Sequence, residues 1–140
     1  MAIHFHPEIG TIVICDFTSF VSPEMTKRRP AIVISPRLRD RGELCTVVPL
    51  STTNPPSVMP YHHRIVIDPV LPAPYDSKSH WVKADMLYTV SFARLYLPFS
   101  KKDGQGKRIY DVRTIDKVDL IKIQQCVLHG IGLTVLTDYL

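Results

Sequence analysis

Several features that would assign this chain of 140 residues to a protein class at sight are scarce or missing. Its three cysteines, Cys15, Cys45 and Cys126, are odd in number, lie among apolar residues and show no C-x-x-C spacing. A disulfide framework or a cysteine zinc site is therefore excluded, and the expectation is reduced core thiols in a cytoplasmic protein. No segment approaches the ~20 consecutive apolar residues that cross a bilayer. The start, Met1-Ala2-Ile3-His4, lacks the basic stretch and apolar run of a secretory signal. No membrane role is expected. Internal repeats and low-complexity tracts are absent. Hydrophobic residues make up 45% and charged residues 21%, which excludes a disordered chain, and the length suits one domain spanning residues 1–140.

Proline, by contrast, is abundant: twelve residues, well above the usual ~5%. Proline breaks helix interiors and central strands, so short strands joined by rigid loops are favoured and a helical bundle is excluded. Thr11 to Phe17, Ala31 to Ser35, Leu44 to Leu50, Tyr61 to Ile67, Trp81 to Asp85 and Leu87 to Leu97 read as β segments. Pro30 is expected to start the second of these rather than sit inside it. Between them lie a polar loop, Thr18 to Arg29, a proline-rich loop, Asp68 to Ser79, and a hydrophilic hairpin tip, Lys101 to Lys107. One helix is predicted, capped by Thr114, with Asp116 in its first turn, Leu120, Ile123 and Val127 at helical spacing, and Gly130 at its end. The tail Ile131 to Leu140 reads as a short strand or an interface segment. Helices between successive strands are missing, so a parallel β-α-β sheet is excluded. The pattern predicts a mainly β fold: a small, strongly bent antiparallel barrel with a C-terminal α-helix.

The net charge of +4 makes an acidic partner, nucleic acid or an acidic protein segment, electrostatically plausible. Three polar groups fall at strand ends: Glu24 with Lys27, Arg28 and Arg29; Ser51 with Thr52 and Thr53; and Lys83 with Asp85. Brought to one rim, they would combine guanidinium, hydroxyl and carboxylate groups around a phosphodiester. Lys83 and Asp85, two apart, would share a face of a strand. Phe20, Tyr61 and Trp81 are candidates to stack unpaired bases, although a lone tryptophan in a small barrel is more often core. His62 and His63 would point to opposite faces of a strand, and His4 with His6 lack further ligands, so no metal site is expected. His80 could act in acid-base chemistry near Lys83 and Asp85, or simply pack.

The runs Gly10 to Phe17, Glu24 followed by Arg29-Pro30, Ala31 to Pro36, and Val47-Val48-Pro49-Leu50-Ser51-Thr52-Thr53 resemble the PemK/MazF (Kid-like) toxins of type II toxin-antitoxin pairs. The likeness continues through Lys83-Ala84-Asp85, Thr89-Val90-Ser91, Arg94-Leu95 and the final helix. It implies an SH3-like barrel, usually a homodimer, that cuts single-stranded RNA without metal or cofactor, leaves a cyclic phosphate, and is held in check by a cognate antitoxin. It also implies that Arg29, Ser51 or Thr52, and Asp85 carry catalysis. Glu24, Lys27, Arg28, Thr53, Tyr61, His80, Trp81 and Lys83 would then bind RNA. Pro23 stands where some members have a histidine, so that group is missing here, and Ser51 replaces a threonine. A rival reading keeps the barrel but not the cleavage: a module that inhibits a DNA topoisomerase or another partner by binding.

Overall fold

The computed structural model describes residues 1–140. Nine strands form: β1 (Ile12–Asp16), β2 (Arg28–Val33), β3 (Leu44–Ser51), β4 (His62–Val66), β5 (Ser79–Lys83), β6 (Tyr88–Ser91), β7 (Leu95–Tyr96), β8 (Phe99–Lys102) and β9 (Arg108–Tyr110). One helix follows, α1 (Lys117–Gly130). The first seven strands make one antiparallel sheet in the order β4-β5-β3-β2-β1-β7, with β6 also on β3, and β8 and β9 form a separate hairpin. The class is the expected one, mainly β with a C-terminal helix.

Alternation along the strands explains two cores. Val13 and Cys15, Ala31 and Val33, and Cys45 and Val47 point to one side, where they pack with Phe17, Met25, Val90 and Leu95. Ile12, Ile32, Val48 and Leu50 point to the other, where Ile65, Val82, Ile123 and Cys126 cover them. Strands buried on both faces read as continuous apolar runs, as TIVICDF and AIVIS do.

The barrel is not closed, because β4 and β7 end the path unpaired with each other. In the space beside the start of β1 lies an irregular segment instead: Ile12 N–H donates to Arg113 O (3.0 Å) and Ile115 N–H to Gly10 O (2.9 Å). Arg113 fixes that segment, gripping Asp111 at 2.6 Å and donating to the Pro69 and Val70 carbonyls of the proline-rich loop.

Other expectations are corrected in detail. Pro30 lies inside β2. Val33 N–H donates to Thr11 O, so the odd-numbered amides of β2 serve β1. The nitrogen of Pro30 therefore points toward β3, whose pairing with β2 covers only Ala31 to Val33; no ladder bond is lost. The segment Leu87 to Leu97 is not one strand: Ser91 caps a 3-10 turn, Phe92–Arg94, between β6 and β7. The fifth strand ends at Lys83, which leaves Asp85 in a turn closed by Met86 N–H to Lys83 O at 3.0 Å. Asp116, not Thr114, caps α1, accepting from Asp119 N–H at 2.8 Å, while Thr114 bridges to Thr11. The tail forms a 3-10 helix, Thr134–Tyr139.

The capping assignment is testable. Asp116→Ala should lower the unfolding free energy in urea by about 1 kcal/mol, and Thr114→Ala by clearly less; the reverse order would return the cap to Thr114.

Candidate functional site

Register places the predicted polar residues more firmly than spacing could. The β2–β3 ladder ends at Ala31 opposite Pro49, and two residues beyond it the strands carry Arg29 and Ser51. Both share the parity of Ala31, so both project from the same face of the sheet at the same end. Ser51 pairs with Trp81 on β5, Trp81 with Arg64 on β4, and Lys83 with His62. Directly paired residues of antiparallel strands share a face. Arg29, Ser51, Trp81, Lys83, Arg64 and His62 thus form one polar band across four adjacent strands. The opposite face of β4 and β5 carries Ile65 and Val82 together with His63 and His80 and lies against α1, where His63 Nε2 meets Asp119 Oδ1 at 3.0 Å.

Arg29 is the group with no protein partner. It is half-buried, its Nε is fully buried without a hydrogen bond, and no carboxylate lies within ion-pairing distance. Other arginines nearby are engaged. Arg28 meets Asp16 at 3.2 Å, and Arg94 donates to Asp16 O at 3.0 Å and Ser19 Oγ at 2.6 Å. An unsatisfied buried N–H is destabilising by about 1–3 kcal/mol, which an incoming anion would relieve. The Ser51 side chain is buried, and its Oγ accepts from Thr53 N–H at 3.1 Å, so its own proton remains free to donate. Thr52 and Thr53, in the bend after β3, are exposed.

Asp85 lies in an exposed turn held by the end of α1. A Cβ on Gly130 would stand 3.2 Å from Ala84 O and from Asp85 Cα, so only glycine lets the helix approach this closely. Trp81 is half-exposed, its indole N–H donating to Asn54 Oδ1 at 2.8 Å, and is not a core residue. Tyr61 is half-buried with its ring edge-on to His62 at 4.6 Å.

Four of the predicted residues are engaged with other parts of the protein. Arg28 follows the alternation to the opposite face from Arg29, where its guanidinium lies over the Tyr96 ring at 5.0 Å. His80 is buried at 2% exposure, with Nε2 against Ser77 O at 3.1 Å and Nδ1 unpaired. Its strand, β5, directs it to the helix side, away from the polar band. Phe20 is packed between Phe17 and Tyr88 and covered by Arg94 at 4.5 Å. Glu24 caps its own loop, accepting from Val21 N–H at 3.1 Å. Lys27 is exposed in the same loop.

His62 joins the site without having been read there. Its Nδ1 accepts from Met59 N–H at 3.0 Å, which leaves the proton on Nε2. Desolvation and the neighbouring Lys83 ammonium hold its pKa below the ordinary value, against the opposing pull of Asp85. It is thus an uncharged N–H donor beside Lys83 and Asp85. The available sequence signal was its period-two relation to Arg64; the pairing with Lys83 is a tertiary fact. The cysteine thiols are buried, and burial pushes Cys15 up to about 12 and Cys45 up to about 11, so none is a nucleophile at neutral pH. No three His, Cys, Asp or Glu side chains gather where a metal could sit, and no helix is long and apolar enough to cross a membrane.

A bent antiparallel sheet with an unpaired guanidinium and a free hydroxyl at one strand end defines a small basic β domain able to receive an anion. Residues 8–129 match the PemK-like, MazF-like toxin family of type II toxin-antitoxin systems, and the chain belongs to that family. An uncharacterised protein of Haemophilus influenzae is 28% identical over 99% of both chains. YifN of Escherichia coli K12, also uncharacterised, is 31% identical over 68% of this chain and 75% of its own. Among solved structures, MazF from Deinococcus radiodurans superposes with a TM-score of 0.58 at 19% identity, over 91% of this chain and 98% of that one. A mycobacterial endoribonuclease in complex with its cognate antitoxin gives 0.57 at 19% identity, over 91% and 96%.

Burial holds the His80 pKa below its ordinary 6.5, against a smaller opposing effect of the Ser77 carbonyl. Below that value an unfolded chain binds a proton that the folded chain resists, so folding should weaken as pH falls from about 7 to about 5. Urea midpoints should show the decline, and His80→Gln, which does not titrate, should make it shallower; an unchanged slope would remove His80 as a contributor.

Proposed function

We propose that this family member is an endoribonuclease toxin that cuts single-stranded RNA, with the Arg29 and Ser51 end of the β2–β3 pair holding the scissile phosphate. The observation carrying this reading is the Arg29 guanidinium: half-buried, fixed on a strand, and unpaired. Its planar fork suits two phosphate oxygens, and in a partly desolvated setting such charge-assisted bonds are about twice as strong as neutral ones. The Ser51 hydroxyl, with a free proton, and the exposed Thr52 beside it donate to the same oxygens.

RNA supplies its own nucleophile. The ribose 2′-hydroxyl sits beside phosphorus, and well-oriented intramolecular attack has effective molarities of about 10⁵–10⁸ M. The protein then needs to align the linkage, accept a proton and stabilise the charge building on phosphate. In this reading Asp85 takes the 2′-hydroxyl proton, and the 2′-oxygen attacks phosphorus to give a 2′,3′-cyclic phosphate. The bond to the 5′-oxygen breaks, and the Lys83 ammonium returns a proton to the leaving oxygen. His62 Nε2–H hydrogen-bonds the phosphate without adding charge. Trp81 and Tyr61 offer ring surface to the flanking bases, and Lys27 and Thr53 contact the backbone. The fold neighbours named endoribonuclease support the activity.

The partners follow from the family and from the surface. A cognate antitoxin would lay an acidic segment across the basic band. The 3-10 tail exposes Val135 at 74% and Tyr139 at 84% with Ile131 and Leu133 nearby, an apolar surface suited to a second copy of the chain.

Arg29→Ala should abolish cleavage of single-stranded RNA in EDTA while leaving the circular dichroism unchanged, and Arg29→Lys should restore little; near-normal cutting by the alanine variant would sink the assignment. An oligonucleotide with deoxyribose at the mapped cleavage position should bind and stay whole, with cyclic phosphate found on the ribose version. Intact RNA under all conditions would instead favour a toxin that acts by binding.

A further inference from the structure

A cleft of about 240 Å³ opens on the face of the sheet opposite Arg29, between the edge at β7, the proline-rich loop and the β8–β9 hairpin. Four rings line it: Tyr75 from the loop, Tyr96 from β7, Phe99 from β8 and Tyr110 from β9, together with the guanidiniums of Arg28 and Arg108. Each arginine lies over a ring, Arg28 over Tyr96 and Arg108 over Phe99, both at 5.0 Å to the ring centre. None of the residues lining the cleft is acidic. The hairpin wall adds Lys101, Lys102 and Lys107, all exposed, against one carboxylate, Asp103, whose Oδ1 is already taken by the Gln105 and Lys107 backbone N–H groups at 2.8 and 3.0 Å.

Ring faces paired with guanidiniums, under a wall of positive charge, are the chemistry that holds unpaired nucleotides: bases stack on the rings and cations meet the phosphates. The volume lies below the ~300–1,000 Å³ of sites for drug-sized ligands and suits a single base with its sugar. Arg28 and Arg29 are consecutive on β2 and point to opposite faces, so one strand of RNA passing over this end of β2 meets the cleavage site on one side and the cleft on the other. Arg28 is itself held by Asp16 at 3.2 Å, which orients the guanidinium over Tyr96 and leaves Arg108 as the uncompensated cation.

We propose that this cleft is a second subsite for the same RNA, which stacks one unpaired base away from the cleaved bond against Tyr96 and Phe99 and places its phosphate on Arg108 and Arg28. The proposal rests on the ribonuclease reading and adds to it a contact that only an RNA longer than the cleaved step can make.

The test compares two oligonucleotides made uncleavable by deoxyribose at the mapped position, one of about four nucleotides and one of about twelve, by fluorescence anisotropy. Wild-type protein should prefer the longer. In Phe99→Ala and in Phe99→Leu, which keeps apolar bulk but no ring face, that preference should shrink by about tenfold. Arg108→Gln should also reduce the dependence of log affinity on log salt for the longer RNA by about one. Lys122→Gln, on the exposed side of α1, removes the same charge elsewhere and should leave the preference as in wild type. Phe99 and Arg108 are both exposed, so these variants keep the fold. If their preference for the longer RNA equals that of wild type, the subsite is overturned, even should they lose the antitoxin. A wild-type protein that cuts RNA but binds both lengths equally overturns the subsite alone; one that neither cuts nor binds RNA overturns the ribonuclease reading as well.

Discussion

The sharing of β3 between two partners on one side governs the rest of the molecule. Its first half pairs with β6, through Leu44 to Val47, and its last two residues pair with β5. Val48 and Pro49 lie at the handover. Ile34 N–H donates to Thr46 O, so even-numbered residues of β3 make the bonds to β2. The imide nitrogen of Pro49 therefore points into the gap that β6 and β5 leave, and a residue without an N–H loses nothing there. The two halves of the sheet then diverge, one wing wrapping the Phe17 core and the other carrying β4 and β5 onto α1. The same divergence ends the β2–β3 ladder at Ala31 and Pro49, which leaves Arg29 and Ser51 unpaired with each other while their other neighbours hold them in place, Cys15 opposite Arg29 and Trp81 opposite Ser51.

That arrangement explains why one arginine differs from its neighbours. Arg28 and Asp16 form a pair whose cation is half-exposed; such pairs contribute about 0–1 kcal/mol, so this one orients a side chain more than it stabilises the fold. Arg29 is half-buried with its Nε sealed and unpaired, a cost of the same order as a lost hydrogen bond. A group that is costly to leave unpaired, held on a strand rather than a mobile loop, needs little reorganisation when an anion arrives. Stability given up at this position matches the expectation that strained or unsatisfied groups gather at working sites.

The sequence made the fold class legible because its signals were local: β-branched runs, proline punctuation, and a single helical period over Leu120, Ile123 and Val127. It placed Pro49 inside the third strand correctly but expected Pro30 only at the start of the second, since whether a proline is tolerated depends on which edge is free, and that is a property of the partner strands. It grouped Arg28 with Arg29 as one basic cluster, although period two separates them once both belong to a strand. Asp85 was given a strand position as the end of the β segment Trp81 to Asp85, where it would share a face with Lys83. In fact the strand stops at Lys83, and Gly130 of α1, 45 residues along the chain, fixes the turn. His80 looked like a titratable residue near Lys83 and Asp85, whereas His62 was weighed only as a metal ligand beside His63; the β4–β5 register shows that His80 faces the helix and His62 the open band.

Charge at long range and charge at contact divide the work. Exposed lysines of the β8–β9 hairpin are screened over about 8 Å at physiological salt, so they raise the encounter rate with any polyanion and distinguish nothing. Arg29 is shielded from solvent on one side, and its bonds to a bound phosphate would survive salt that abolishes the hairpin's contribution. A net charge of +4 therefore draws any polyanion to the surface, but on the proposed reading it is the placing of one unpaired guanidinium opposite one free hydroxyl, two residues past the end of a ladder, that would give this surface a position at which a particular phosphate is held.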